Sequence, residues 1–263
     1  MSPNGQKHAP LARATRLGSL PRPLYGRIES LPNQALAYRH SHPWAQLSYA
    51  SQGVLEVRTA AGRFIAPPHR AVWVPAGMPH RVYRSPDTEM RSLYLSGSVT
   101  AWAPPGCRVL EVSPLLRELI RAFSLLPEDY DEDGADGRLA QVLLDQLAAA
   151  REVDLMLPLP RDSRLRPLCR SLQAHPERQT TLGEWSRRLG LSEKTLSRLF
   201  RRETGLSFRA WRQRLRLLAA LTPLERGERV TDVALACGYE STSAFIAAFG
   251  QQFGCTPGEF FRK

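Results

Sequence analysis

The chain has 263 residues, 43% of them hydrophobic and 23% charged, with a net charge of +11. That length suits two domains of ordinary size, and no apolar run approaches the ~18 residues needed to cross a bilayer. Four scattered cysteines (Cys107, Cys169, Cys237, Cys255) form no Cys-x-x-Cys pair, which argues against a disulfide scaffold or a zinc ribbon and for a reducing cytoplasm.

Met1 to Leu20 is basic but lacks the continuous apolar core of a signal peptide, and residues 1–30 are read as a loose basic tail. Residues 31–110 read as strands. Ala45–Tyr49, Val54–Arg58, Val72–Val74 and Ser92–Leu95 are short runs rich in β-branched and aromatic residues. Gly53, Ala61-Gly62 and Pro67-Pro68 separate them, as expected of a small β-barrel or sandwich.

From Pro114 the period changes. Leu115, Leu116, Leu119, Ile120 and Phe123 recur at helical spacing, as do Leu139, Val142, Leu143, Leu144 and Leu147. An acidic loop, Glu128 to Asp133, lies between them and is either a solvated connection or a restraint on the basic module that follows. Residues 111–160 are therefore expected to hold two amphipathic helices, for dimerisation or relay, and a linker at Leu157-Pro158-Leu159-Pro160, where a helix cannot continue.

Residues 161–263 carry 19 basic against 10 acidic residues, whereas residues 101–160 carry 5 against 11. A basic module suits a polyanion, because neutralised phosphates release counterions. Two stretches of it share one plan. In residues 181–203, Thr181 and Glu184 form a capping-box pattern, Gly190 stops the helix, and Ser192 caps the next one. Its Leu196, Leu199 and Phe200 face inward while Lys194, Ser197, Arg198 and Arg201 face outward. In residues 230–253, a helix capped by Thr231 or the preceding turn leads to Cys237-Gly238-Tyr239-Glu240. Ser241 then caps a helix buried through Phe245 and Phe249. A short helix, a glycine turn and a capped second helix spell a helix-turn-helix, whose second helix enters the major groove of double-stranded DNA. Two such units on one connector can enter successive major grooves on one face.

Thr181 to Phe261 resembles the AraC/XylS family of bacterial regulators. The resemblance rests on Ser192 to Phe200 with Glu203-Thr204-Gly205, then Val233-Ala234, Cys237-Gly238-Tyr239, Ser243-Ala244-Phe245, Phe249, Phe253-Gly254 and Pro257. It implies that Lys194, Ser197, Arg198 and Arg201 face DNA from the first recognition helix, and Thr242, Ser243, Ile246 and Ala247 from the second. Relatives usually carry basic residues along that second helix, where this chain has Ala247 and Gly250-Gln251-Gln252. Alanine cannot make the bidentate guanine contact of arginine. The first unit is therefore expected to supply most of the base readout and the second mainly to position the protein.

Upstream, His40-Ser41-His42 with Gln46, and Pro75-Ala76-Gly77-Met78-Pro79-His80, resemble the two motifs of a cupin barrel. The resemblance implies an effector pocket at His40, His42, Gln46 and His80, and Trp44, Trp73 and Tyr49 either add an aromatic lining to it or fill the core of the barrel. Its three histidines either ligate a divalent metal or form a polar lining without one. Gln46 stands where metal-binding cupins carry a glutamate, and a neutral amide is a poorer ligand. The expected protein is thus a multidomain α+β chain, a cupin-like barrel before an all-α double helix-turn-helix domain. It is expected to act as a sequence-specific transcription regulator controlled by a small molecule bound in the N-terminal barrel. Its partners are operator DNA, a second copy of the chain in a homodimer and RNA polymerase, with no membrane. The alternative is a metal-dependent cupin enzyme with an accessory helical domain, which Gln46 argues against.

Overall fold

The computed structural model describes residues 18–29, 38–85 and 88–261. The first seventeen residues of the expected basic tail lie outside them. The end of that tail is a strand: β1 (Leu24–Glu29) pairs antiparallel with β7 (Met90–Leu95). Its apolar pattern is thinned by Gly26 and Arg27, which hid it in the sequence. A side chain at Gly26 would press on Phe123, with a Cβ only 3.0 Å from that ring.

The remaining strands of the N-terminal domain are β2 (Ala45–Ala50), β3 (Leu55–Arg58), β4 (Gly62–Ala66), β5 (Arg70–Val74), β6 (Arg81–Arg84) and β8 (Arg108–Glu111), followed after two helices by β9 (Glu152–Val153) and β10 (Met156–Pro158). They form one antiparallel sheet in the order β1-β7-β2-β5-β8-β9 and a second in the order β10-β4-β3-β6. Ala50, Val72, Val74, Met90 and Val109 of the first sheet meet Leu55, Val57, Phe64 and Ala66 of the second in one buried core.

The outer face of the first sheet is covered by α1 (Pro114–Phe123) and α2 (Ala135–Ala148). Leu47, Tyr49, Trp73 and Leu93 of the sheet pack there with Leu116, Ile120, Leu143 and Leu147 of the helices. Leu115 and Val142, which the helical periodicity placed with this apolar set, instead point outward and are 53% and 44% exposed. The acidic loop is tied to its own domain, where Arg22 donates to the Asp129 and Tyr130 carbonyls and Tyr25 Oη donates to Glu128.

Two expected boundaries shift. The barrel does not end at residue 110, because β9 and β10 complete its sheets. The segment read as a linker is strand β10, with Leu157 opposite Arg63 and Pro158 opposite Gly62. Proline is tolerated there because β10 is an edge strand that needs no N–H on its open side. Gly62 admits the approach, since a Cβ at that position would stand 2.6 Å from the Leu157 carbonyl oxygen.

The C-terminal domain comprises α3 (Arg166–Ala174), α4 (Leu182–Leu189), α5 (Glu193–Thr204), α6 (Phe208–Glu225), α7 (Val230–Ala236), α8 (Thr242–Phe253) and the short α9 (Pro257–Phe260). The long α6 joins the two α4–α5 and α7–α8 pairs, and its Trp211, Leu215, Leu218 and Leu221 are buried. Trp211 meets Phe200 of α5 edge to face at 5.6 Å.

Candidate DNA interface and barrel site

Thr181 accepts from the Glu184 N–H, and Glu184 reciprocates at the Thr181 N–H at 2.7 Å, so the expected capping box starts α4. Gly190 ends it in the left-handed region at φ 64°, where glycine carries no Cβ penalty. Ser192 then accepts from the Thr195 N–H and opens α5. With Leu196, Leu199 and Phe200 buried, the exposed side chains of Lys194, Ser197, Arg198 and Arg201 fall at i, i+3, i+4 and i+7, which places them on one face.

The second unit repeats the plan with less charge. Ser241 caps α8 through the Ala244 N–H, while α7 begins at Arg229 with no side-chain cap, and Thr231 lies inside that helix. Phe245 and Phe249 are buried. Thr242 is half-buried, and Ser243, Ile246 and Ala247 are exposed. The α8 sequence itself contains no Lys or Arg.

Sequence reasoning missed Arg164. It lies just before α3, a few residues past the expected linker, and lines a cleft of about 590 Å³ together with Thr195, Arg198, Leu199, Arg201 and Arg202. Asp162 aims it through contacts of 2.6 and 3.0 Å. Glu203 of α5 accepts the Arg161 and Asp162 N–H groups at 3.2 and 3.1 Å, which holds this corner against the recognition helix.

In the barrel, an isolated β-bridge sets His40 opposite His80, and one ring nitrogen from each of His40, His42 and His80 lies within 4.8 Å of the other two. Each ring is oriented the same way. The Nδ1 atoms of His40, His42 and His80 face the carbonyls of Tyr38, Trp44 and Met78 at 3.1, 2.7 and 2.8 Å. A carbonyl only accepts, so each Nδ1 carries a proton, and a ring in its neutral form has its lone pair on Nε2. Burial holds the His40 and His80 rings below the ordinary imidazole range, His80 down to about 3. Both are therefore neutral near pH 7.

Gln46 completes the group. Its Oε1 stands 3.0 Å from His42 Nε2 and 3.3 Å from His80 Nε2, while its amide nitrogen donates to Ser48 and Ser92. Three acceptors thus face one another. A cation between them relieves that repulsion. So does turning the amide over, with its NH₂ donating to both rings and its oxygen accepting from the two hydroxyls. Three imidazole Nε2 atoms and one neutral oxygen are a donor set that suits a divalent transition metal.

Aromatic rings wall the cluster. Trp44 stacks on His42 at 5.5 Å, Tyr94 meets His42 edge-on at 5.9 Å, and Tyr25 stacks on Tyr94. The Trp44 indole nitrogen is buried without a hydrogen-bond partner. Buried Glu29, which no sequence motif singled out, accepts from Tyr94 Oη at 3.1 Å. Trp73 is not part of this site. It pairs in register with Leu47, one residue out of phase with Gln46 opposite Val74, and successive side chains of a strand leave on opposite faces. Trp73 therefore packs under the helices, 5.3 Å from Trp102.

A family model described as AraC-like ligand binding domain matches residues 23–148, and one described as helix-turn-helix domain matches residues 185–263. The chain is similar to the HTH-type transcriptional regulator NimR of Escherichia coli K12, with 35% identity over 224 residues, covering 85% of this chain and 82% of that protein. It is similar also to the HTH-type transcriptional activator RhaR of Mannheimia succiniciproducens, 31% identical over 99 residues that cover 37% of this chain and 36% of that one. Among solved structures, ToxT from Vibrio cholerae aligns over 92% of this chain and 98% of its own, at 9% identity and a TM-score of 0.39.

Proposed function

Because the chain belongs to the AraC family of helix-turn-helix transcriptional regulators, we propose that it reads its operator chiefly through α5 and answers to a small molecule held at the histidine cluster. The chain is a DNA-binding regulator with an N-terminal ligand-binding domain, and its relatives are regulators, not enzymes. The observation that carries the readout is the exposed face of Lys194, Ser197, Arg198 and Arg201 on a helix capped by Ser192. Arginine forks match the acceptor edge of guanine, and neighbouring arginines match phosphate. The face of α8, with Thr242, Ser243, Ile246 and Ala247, offers hydroxyl and apolar contacts and serves mainly to fix register.

At the barrel, His40, His42 and His80 would hold a divalent metal through one ring nitrogen each, with Gln46 as a neutral fourth ligand. Such a metal would supply a Lewis-acidic anchor for a polar group on the effector. Trp44 and Tyr94 offer the flat walls that suit a planar, aromatic effector, and the unpartnered Trp44 N–H is a donor for it.

Assembly as a homodimer is supported by Leu115, Leu125 and Val142, exposed apolar residues on or beside the helices that cover the barrel. Contact with RNA polymerase follows if the operator lies beside a promoter. No helix of the described residues is long and apolar enough to cross a membrane, and four free cysteines suit a cytoplasmic setting.

Selection of random-sequence duplexes by the full-length protein at near-physiological salt tests this reading. It expects an enriched motif spanning about two helical turns. Lack of enrichment by the full-length protein, with and without added zinc, would count against it.

A further inference from the structure

On the outer face of the first sheet, away from the histidine cluster, His69 adopts φ 64°, alone among the described non-glycine residues in being left-handed. That conformation costs about 1–2 kcal/mol for a residue with a Cβ, so the surroundings must hold it. The His69 carbonyl accepts from the Val112 N–H at 2.9 Å and from Arg70 Nη1 at 2.7 Å. The turn sets His69 and Arg70 into a cleft of about 410 Å³ between the ends of β5 and β8 and the first turn of α1.

Three guanidinium groups line this cleft, those of Arg70, Arg117 and Arg151, against a single lining carboxylate, Glu111. Both Glu111 oxygens are engaged, Oε2 by Arg151 at 2.8 Å and Oε1 by Arg70 at 3.4 Å. Arg117 pairs with Glu118, but both are exposed and such a pair holds weakly in water. Arg70 Nε is buried with no hydrogen-bond partner, so the rest of this guanidinium carries what the cleft can engage. Burial, then Arg117 and Arg70, keep the His69 ring below its ordinary range, in line with a positive local potential. The start of α1 adds the positive end of its dipole. Val112, Leu116 and Ala150 give the wall an apolar part, beside the polar Ser113 and Gln146.

We propose that this cleft binds a small organic acid, its carboxylate held by Arg70, Arg117 and Arg151 and its apolar body lying against Val112 and Leu116. Guanidinium forks match a carboxylate in geometry as well as charge, and the volume lies in the range of small-molecule pockets. The site is separate from the histidine cluster and does not depend on the effector reading.

Isothermal titration of the full-length protein with benzoate and with octanoate, at low salt, tests it, with inorganic phosphate as the anion lacking an apolar body. At least one of the two acids is expected to bind at one site per chain, more tightly than phosphate. Binding should weaken at least tenfold in Arg117→Gln/Arg151→Gln, a double change at exposed positions, and persist in His42→Ala/His80→Ala. No saturable binding of either acid would overturn the proposal. Binding unaltered in the arginine variant, phosphate binding as tightly, or binding lost with the histidines would overturn it equally.

Discussion

Trp211 of α6 donates its indole N–H to the carbonyl of Pro158 in β10 at 2.6 Å. The helix that joins the two helix-turn-helix units is thereby bonded to the last strand of the sensor barrel. Arg214, one turn on, grips Asp154 through two contacts of 2.6 and 2.9 Å. At the far end of α6, Glu225 accepts the Gly53 N–H at 2.6 Å. One element thus touches the barrel at three points along its length and sets the spacing of both recognition helices.

Replacing Trp211 by phenylalanine keeps the packing against Phe200 and removes the indole donor. The half-buried Pro158 carbonyl then loses its partner, which costs less than the ~1–3 kcal/mol of a fully buried acceptor because water reaches it in part. Urea melts followed by fluorescence should show the loss. An unchanged midpoint would mean that the bond holds the two domains together no better than water does.

Trp73→Ala and His42→Ala should have opposite profiles. Trp73 fills the space under α1 and α2, so its truncation costs about 3–5 kcal/mol and leaves metal binding intact. His42→Ala should abolish stoichiometric zinc or nickel binding at a modest cost in stability. Metal retained by His42→Ala after dialysis, measured by elemental analysis, would remove the histidine cluster as its site.

For the metal-free protein the depressed His80 pKa gives stability a pH dependence of definite sign. In the unfolded chain the ring titrates near 6.5, and in the folded barrel near 3. Between those values the unfolded state binds the extra proton, so folding stability falls as pH is lowered. The contribution is complete above about pH 6.5, declines below it, and is exhausted near pH 3. His40, also depressed, acts in the same direction. His80→Gln should flatten the slope between pH 6.5 and 4 in denaturant titrations, and an unchanged slope would assign it to other groups.

Arg164→Ala should weaken operator binding whatever the bound sequence and lower the slope of log affinity against log salt by about 1, as expected for one lost phosphate contact. A change of preferred base without a change of slope would instead make Arg164 a base reader. Ser192→Ala, which removes the cap of α5, should cost about 1 kcal/mol of stability, seen as a lower thermal midpoint.

The helical half was legible because its signals are local. Thr181, Gly190, Ser192, Ser241 and Gly254 mark helix ends by side-chain or backbone chemistry that acts within four residues. The barrel was legible where short runs of apolar and aromatic residues stand between turn residues, as at β2, β3 and β5. β1 was missed because Gly26 and Arg27 interrupt its pattern, and β10 because its proline sits at a tolerated edge. Trp73 was misplaced because face assignment depends on register, which only pairing with Leu47 settles. Arg164 and the cleft at Arg70 were out of reach for a different reason: their partners, Arg198 and Arg151, are 34 and 81 residues away in the chain. His40, His42, Gln46 and His80 do converge, two residues of strand spacing and one β-bridge being enough to bring them together.

The most direct test of the account compares two single substitutions on the selected operator, Arg198→Ala on α5 and Ser243→Ala on α8, by equilibrium binding at fixed salt. The account predicts that Arg198→Ala costs about 1–3 kcal/mol and relaxes base preference in one half of the motif, while Ser243→Ala leaves that preference in place. Unchanged affinity with Arg198→Ala, and binding abolished by Ser243→Ala, would contradict it and move the reading of sequence to the second unit.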